Sequence, residues 1–252
     1  MIQAVDFIRF PLKKKVDEKM LFKTKNLYFK KDRIFKKINF LIYNFDLLKK
    51  IDLPIDKNLY YSSILPLTVL NQNNLKKYLN IMTEKNIKNI CLHPYLQNID
   101  DKKINFLCKK KNIKLFDKFN FIIATAIGTK KMYKINPLKV AFRISETFKN
   151  NKIVLSHFGG FKILEAINLM KNNKNIYADM SFSHIFWKNT SFEIDLIYAI
   201  NQFPNKIFYG SDFPYCSVKK SYIYLMNFLR KKKIKENIIK KIFFKNAEKF
   251  LK

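Results

Sequence analysis

Three histidines and a small set of aspartates are the groups of this chain best suited to moving protons or holding charge, and each follows a short apolar run. His93 stands in Cys91-Leu92-His93-Pro94, and His157 in Ser156-His157-Phe158-Gly159-Gly160. His184 closes Asp179-Met180-Ser181-Phe182-Ser183-His184, and Asp212 sits in Tyr209-Gly210-Ser211-Asp212-Phe213-Pro214. Imidazoles that titrate near neutral pH, gathered around a carboxylate, are the parts needed for general acid–base work on a small molecule. The chain has only four glycines, and three of them stand in two of these motifs. Glycine kept where an apolar run ends in His or Asp marks a sharp backbone turn beside a functional side chain.

The elements that must position these groups follow from the hydrophobic pattern. Short β-rich runs at 2–8, 39–43, 59–65, 87–92, 119–125, 152–156, 175–180 and 206–210 alternate with amphipathic stretches such as 74–85, 137–148 and 162–171, and the chain closes with a helix over 234–251. Strands separated by helices argue for βαβ units and a parallel sheet. Eight such strands, with no Pro/Gly-rich linker to divide them, predict one (β/α)8 TIM-barrel domain over residues 1–252; an open doubly wound sheet is the alternative. In a barrel the C-terminal ends of the strands line the active-site face. All three histidines and Asp212 are therefore expected in one shared polar pocket.

The ordered set Leu-His-Pro, His-Phe-Gly-Gly, Tyr-Ala-Asp-Met-Ser, Tyr-Gly-Ser-Asp-Phe-Pro and the terminal Asn246-Ala247-Glu248-Lys249-Phe250-Leu251 resembles the amidohydrolase-related proteins of the metal-dependent hydrolase superfamily. That group includes decarboxylases of the aminocarboxymuconate-semialdehyde and resorcylate type, and lactone hydrolases. The resemblance runs from about the fourth strand to the C-terminus and, more weakly, back to Val5-Asp6-Phe7. It implies a (β/α)8 barrel, with Asp212 at the place of the family's metal-binding, base-forming aspartate and His157 at that of the histidine that polarises the reacting group.

The departures from the family pattern concern the metal. Ile8 and Phe10 stand where a D-x-H-x-H pattern would supply two imidazoles, and Ala124 stands in place of a further histidine. None of the three has a lone pair to give. A divalent ion such as zinc remains conceivable through Asp212, the best remaining ligand, with His157 and His93 as nitrogen donors. The metal-free reading puts Arg9 beside the emptied positions, where a guanidinium can pair Asp212 or a substrate carboxylate. Two functions follow. One is a hydrolase or decarboxylase acting on a small acidic substrate, with Asp212 as base, His157 stabilising negative charge, and His93 and Arg9 binding substrate. The other is a non-catalytic, metal-free barrel that binds a ligand or a protein.

The net charge of +31 would ordinarily suggest a polyanionic partner, but only four of the fifty cations are Arg. Selected nucleic-acid surfaces favour Arg for bidentate contacts. A Lys excess that accompanies abundant Asn, Ile, Phe and Tyr instead predicts a solvated surface with no specific nucleic-acid site. No apolar stretch approaches the roughly 20 residues needed to cross a bilayer. The N-terminal basic cluster follows its apolar segment, unlike a signal peptide. Cys91, Cys108 and Cys216 are odd in number and widely spaced, so free thiols in a cytoplasmic protein are expected. The resemblance adds a possible homodimer.

Overall fold

A computed structural model describes residues 4–9, 35–125 apart from 44, 51, 54 and 69, and 134–251, with backbone alone for 4–9, 35 and 47. Phe10 lies outside the described residues, as do Lys13 to Lys15, Ala126 to Gly128 and the side chains of Ile8 and Arg9.

Eight strands form: β1 Ala4–Arg9, β2 Phe35–Ile42, β3 Leu59–Ile64, β4 Asn89–Leu92, β5 Asn120–Ala124, β6 Ile153–Ser156, β7 Ile176–Asp179 and β8 Ile207–Phe208. Each pairs in parallel with the next, in the order β1 to β8. A doubly wound sheet reverses its strand order at a switch point, and this one never does, so the open-sheet alternative is excluded. The helices are α1 Phe45–Lys50, α2 Gln72–Glu84, α3 Asp101–Leu107, α4 Lys110–Ile113, α5 Pro137–Thr147, α6 Ile163–Asn172, α7 Ser183–Phe186, α8 Phe192–Gln202, α9 Val218–Lys231, α10 Glu236–Lys240 and α11 Asn246–Leu251. Their starts are written in the sequence. Asn71 and Asp100 accept from backbone N–H groups of the first turns of α2 and α3, and α5 opens on Pro137 behind an Asn136 cap.

Side chains alternate between two apolar layers with the period of two that a strand imposes. Leu41, Cys91, Ile122, Val154 and Phe208, from five different strands, meet in one cluster. Their neighbours along the chain, among them Phe40, Ile90, Ile123, Leu155 and Tyr209, pack in the separate core that includes the helices. Inward rows from strands far apart in the sheet can share a cluster only if the sheet curls on itself, which is the TIM-barrel-like arrangement.

The C-terminal helix plugs one end. Ala247, Phe250 and Leu251 join the interior cluster, with the Phe250 ring 5.9 Å from Tyr177 and 5.5 Å from Phe208. Lys37 near the start of β2 pairs Glu248 at 2.7 Å. The helix expected over 234–251 is one helical run in which a π-turn, Lys241–Lys245, separates α10 from α11. Asn246 after that turn donates to the carbonyls of Pro204 and Ile207, pinning β8. This helix fills the barrel interior at the N-terminal ends of the strands, opposite the ends that carry the His and Asp motifs.

Candidate active site

β6 ends at Ser156, and the chain then takes a tight turn in which His157, Phe158, Gly159 and Gly160 all have positive φ. At φ 57°, ψ −130°, Gly160 adopts a backbone closed to residues with a Cβ. A Cβ on Gly159 would lie 2.9 Å from that of Ala166. Thr125 ties the turn to β5: its hydroxyl donates to the Ser156 carbonyl and accepts from Gly159 N–H at 2.9 Å. The turn aims the His157 ring at the β7 exit, where Nδ1 lies 2.8 Å from the carbonyl of Ser181. A carbonyl only accepts, so Nδ1 carries the proton, and Nε2 of the neutral ring is a lone pair. Burial lowers the pKa of His157, and the nearby Asp179 charge opposes that shift.

His93, just beyond β4, takes the opposite tautomer. Its Nδ1 accepts from Leu96 N–H at 3.3 Å, which leaves the proton of the neutral ring on Nε2. Its own N–H donates to Gln97 Oε1 at 2.6 Å, and Gln97 in turn donates to the Leu65 carbonyl, so the ring stands on a closed turn. Burial first, then the charge of His157, push its pKa down to about 4. The ring packs 5.8 Å from Tyr43 at the exit of β2.

Two carboxyl groups complete the cluster. Asp212 follows β8 with φ 58° and is 5% exposed, and Asp179 at the end of β7 is fully buried. Asp179 Oδ1 accepts from Ser181 N–H at 2.8 Å and from the Ser181 hydroxyl, and the carboxylate also faces the backbone of His157. Burial pushes the Asp179 pKa up to about 6; the charge of Asp212 adds to this, and His157 and the Ser181 N–H pull against it. Burial likewise raises the Tyr43 hydroxyl well above its usual range, with Cys91, Asp212 and Asp179 all contributing. His93, His157, Asp179, Asp212 and Tyr43 thus form one electrostatically coupled group at the exits of five strands. Asp179 and Tyr43 were not among the site residues expected from sequence. The signal for Asp179 was the same as for Asp212: an aspartate that ends an apolar run.

His184 does not join them. Phe182, at φ 58°, turns the chain into α7, and the His184 ring packs against α9. There Nδ1 donates to the Met180 carbonyl at 2.8 Å and Nε2 accepts from the Ser221 hydroxyl at 2.9 Å, beside Tyr209 and Tyr224. The expectation of three histidines in one pocket is corrected to two, and His184 is a satisfied core residue.

These shifts predict acid lability. His184, 2% exposed, is pushed by burial from 6.5 down to about 4, so the unfolded chain binds its proton more readily. The stabilisation is full above pH 6.5 and lost as pH falls through 4, on the order of 3 kcal/mol for this residue. His93 and His157 act in the same direction. Asp179 acts oppositely, favouring the fold at low pH and losing that contribution as pH rises from 3.8 through about 6. Three groups outweigh one, so the urea midpoint is expected to fall steadily between about pH 7 and about pH 4.5. A flat profile would show that these rings are not held neutral.

The described residues do not assemble the metal site that the resemblance implies. Ala124 ends β5 with a methyl group, His157 has one ring nitrogen committed to a carbonyl, and among the described residues no group of three His, Cys, Asp or Glu side chains is placed to hold an ion. Clefts of about 410 and 500 Å³ lie near the N-terminal ends of β6–β7 and of β3–β4, the first lined largely by Lys and Asn and the second by these together with aliphatic and Tyr side chains, away from the acid–base groups. None of the three cysteines is in a disulfide, and among the described residues no helix is long and apolar enough to cross a membrane.

Residues 140–252, which carry β6, β7, β8 and the motifs of His157, Asp179 and Asp212, match the family model described as Amidohydrolase. No curated protein matches the chain in sequence. Among solved structures, an uncharacterised TIM-barrel protein from Bordetella bronchiseptica superposes with a TM-score of 0.73 at 15% identity, over 99% of this chain and 98% of that one. The 5-carboxyvanillate decarboxylase of Sphingomonas paucimobilis gives 0.63 at 11% identity, over 100% and 99% of the two chains. The 4-oxalomesaconate hydratase of Rhodopseudomonas palustris gives 0.60 at 11% identity, over 99% and 95%. At these identities the likeness is one of fold.

Proposed function

We propose, from a barrel whose residues 140–252 match an amidohydrolase family, that this chain is an enzyme of the hydrolase or carboxy-lyase type. It acts on a small acidic organic substrate at the mouth formed by Tyr43, His93, His157, Asp179 and Asp212. The observation that carries the reading is the carboxyl pair: a fully buried Asp179, with its pKa raised to about 6, close enough to Asp212 to feel its charge. Like-charged carboxyls in a dry site ionise one after the other, and the more buried member, with its pKa at about 6, is the last to lose its proton as pH rises. Asp212 is then the ionised one and the base, taking a proton from an attacking water or a substrate hydroxyl.

The two imidazoles divide the remaining work. His93, with its proton on Nε2, is the donor that orients the acidic group of the substrate. His157 presents a lone pair at Nε2; once protonated, with Asp179 beside it, it becomes a cationic donor to negative charge developing on the substrate. The second contact to the acidic group is assigned, from the sequence alone, to Arg9 of β1. Two of the proteins of similar fold, the 5-carboxyvanillate decarboxylase and the 4-oxalomesaconate hydratase, are named for carboxylate-bearing substrates, which supports this substrate class. No step in this reading passes through a metal.

Turnover of a panel of small aromatic and aliphatic carboxylic acids and lactones by the purified protein tests the reading. Activity lost in Asp212→Asn is the expected result. Saturable binding of such an acid at this site with no turnover would make the chain a binding module. Protein purified without added metal is expected to carry well under one equivalent of zinc, manganese or iron by elemental analysis. One equivalent, lost in Asp212→Ala, would replace this reading with a metal-assisted one.

A further inference from the structure

Two successive connections of the barrel repeat one tetrapeptide. Lys149-Asn150-Asn151-Lys152 leads from α5 into β6, and Lys171-Asn172-Asn173-Lys174 leads from the end of α6 towards β7. Folding sets the two side by side, because β6 and β7 pair in parallel from Ile153 and Ile176 onward. Between them lies the cleft of about 410 Å³, whose lining includes Lys149, Lys152, Lys174 and Tyr177. It is one continuous cavity, of a size that holds a small ligand.

The asparagines build its walls. Asn175 Nδ2 donates to the carbonyls of Phe148 at 3.1 Å and Asn151 at 3.0 Å, and Asn173 Nδ2 donates to that of Leu169 at 3.0 Å, so both loops are braced and these amide donors are spent. Lys152 is fixed at its backbone: its N–H donates to Asn120 Oδ1 at 3.2 Å and its carbonyl accepts from Phe121 N–H at 2.9 Å. The donors left over are ammonium groups and a phenol. Among the described residues no carboxylate pairs with Lys149, Lys152 or Lys174, and the Tyr177 hydroxyl makes no hydrogen bond. The Tyr177 ring is held from behind, stacked 5.7 Å from Phe208 with Phe250 at its edge. Glu146, the single acid of the lining, is exposed.

Lys149 and Lys174 follow helix C-termini, where a cation is favoured whatever it binds. Lys152 has no such reason for its place. It stands half-buried immediately before β6, with Nζ 5.7 Å from the centre of the Phe250 ring; burial first, and then the charge of Lys249, lower its pKa. A half-buried ammonium among cations is stabilised by an anion. The side chains select which anion: a planar carboxylate is gripped best by the fork of an Arg, and the cleft has none, whereas several ammonium point charges suit a tetrahedral, multiply charged phosphate.

We propose that this cleft binds the diphosphate group of a small phosphorylated molecule, with Lys152 and the Tyr177 hydroxyl as its inner contacts and Lys149 and Lys174 at its rim. The site is separate from the acid–base groups, which stand at the other ends of the same two strands.

Isothermal titration of the full chain with pyrophosphate, and in a second arm with ADP, at about 150 mM salt tests this. One site per chain with a dissociation constant below about 100 µM is the expected result. ADP binding no tighter than pyrophosphate would identify the free diphosphate as sufficient, and tighter binding would identify a nucleotide as its source. Lys152→Gln, and separately the exposed Lys174→Gln, should weaken binding by about ten-fold, and Tyr177→Phe, which keeps the ring and the charge, by about three-fold. Lys219→Gln with Lys220→Gln, on α9 beyond the exit of β8, removes more charge and should leave affinity within about two-fold. Circular dichroism identifies a variant that fails to fold, and the exposed position of Lys174 keeps its substitution informative if Lys152→Gln does. A chain that shows no saturable binding, that takes up several equivalents, or that loses no more affinity in the cleft variants than in the Lys219 and Lys220 pair would overturn the proposal; the last two are the behaviour of a diffuse charge of +31.

Discussion

Replacing Asp212 with Asn is expected to lower turnover on the order of a thousand-fold while leaving KM within a few-fold, because Asn keeps the shape of the side chain and removes its charge and basicity. The fold should survive. Asp212 lies beside another carboxyl, and removing one of two like charges relieves repulsion instead of creating it. That coupling supplies a second readout. With Asp212 ionised, the pair is expected to titrate with an inflection near pH 6, a value that belongs to both groups together. In Asp212→Asn the remaining group, Asp179, should titrate at lower pH, since one of the causes that raise it is gone while burial persists. Carboxyl carbon NMR in the two proteins would show the displacement. Turnover within ten-fold of wild type would remove Asp212 from the role of base, and an unmoved Asp179 titration would remove the pair.

Gly159→Ala should cost on the order of 2–4 kcal/mol in the urea unfolding free energy. Two independent strains add at this residue: a φ of 77°, which disfavours any Cβ, and a new methyl 2.9 Å from the Cβ of Ala166 on α6. They are separable. Ala166→Gly in the Gly159→Ala background removes the overlap and leaves the backbone strain, so partial recovery is expected, and full recovery would mean that the backbone strain counts for nothing. Because Gly159 N–H is held by Thr125 and His157 stands two residues earlier, the same substitution should shift the His157 ring from the Ser181 carbonyl. Turnover should therefore fall by more than the stability loss alone accounts for.

Much of this protein is local, and that part is legible in the sequence. All eight strands overlap the short β-rich apolar runs, although β2 begins four residues before its run, because strands of a parallel sheet covered on both faces are apolar along their length. Their ends converge on one face, which follows from parallel strands curling in sequential order and brings His93, His157 and Asp212 into one coupled group. Ala124 at the end of β5, without a lone pair, was equally plain in advance.

What the sequence left open depends on where a side chain points after its strand has ended, and that is decided by turns and by neighbours from other strands. Phe182 enters the left-handed region and sends His184 to Ser221 on α9, away from the mouth. Asp179 ends its strand as inconspicuously as any aspartate, and its pKa is raised because the barrel excludes water around it, with the charge of Asp212 after β8 adding to the shift. The opposite tautomers of His93 and His157 are set by the N–H of Leu96 and the carbonyl of Ser181, groups that no spacing along the chain reveals.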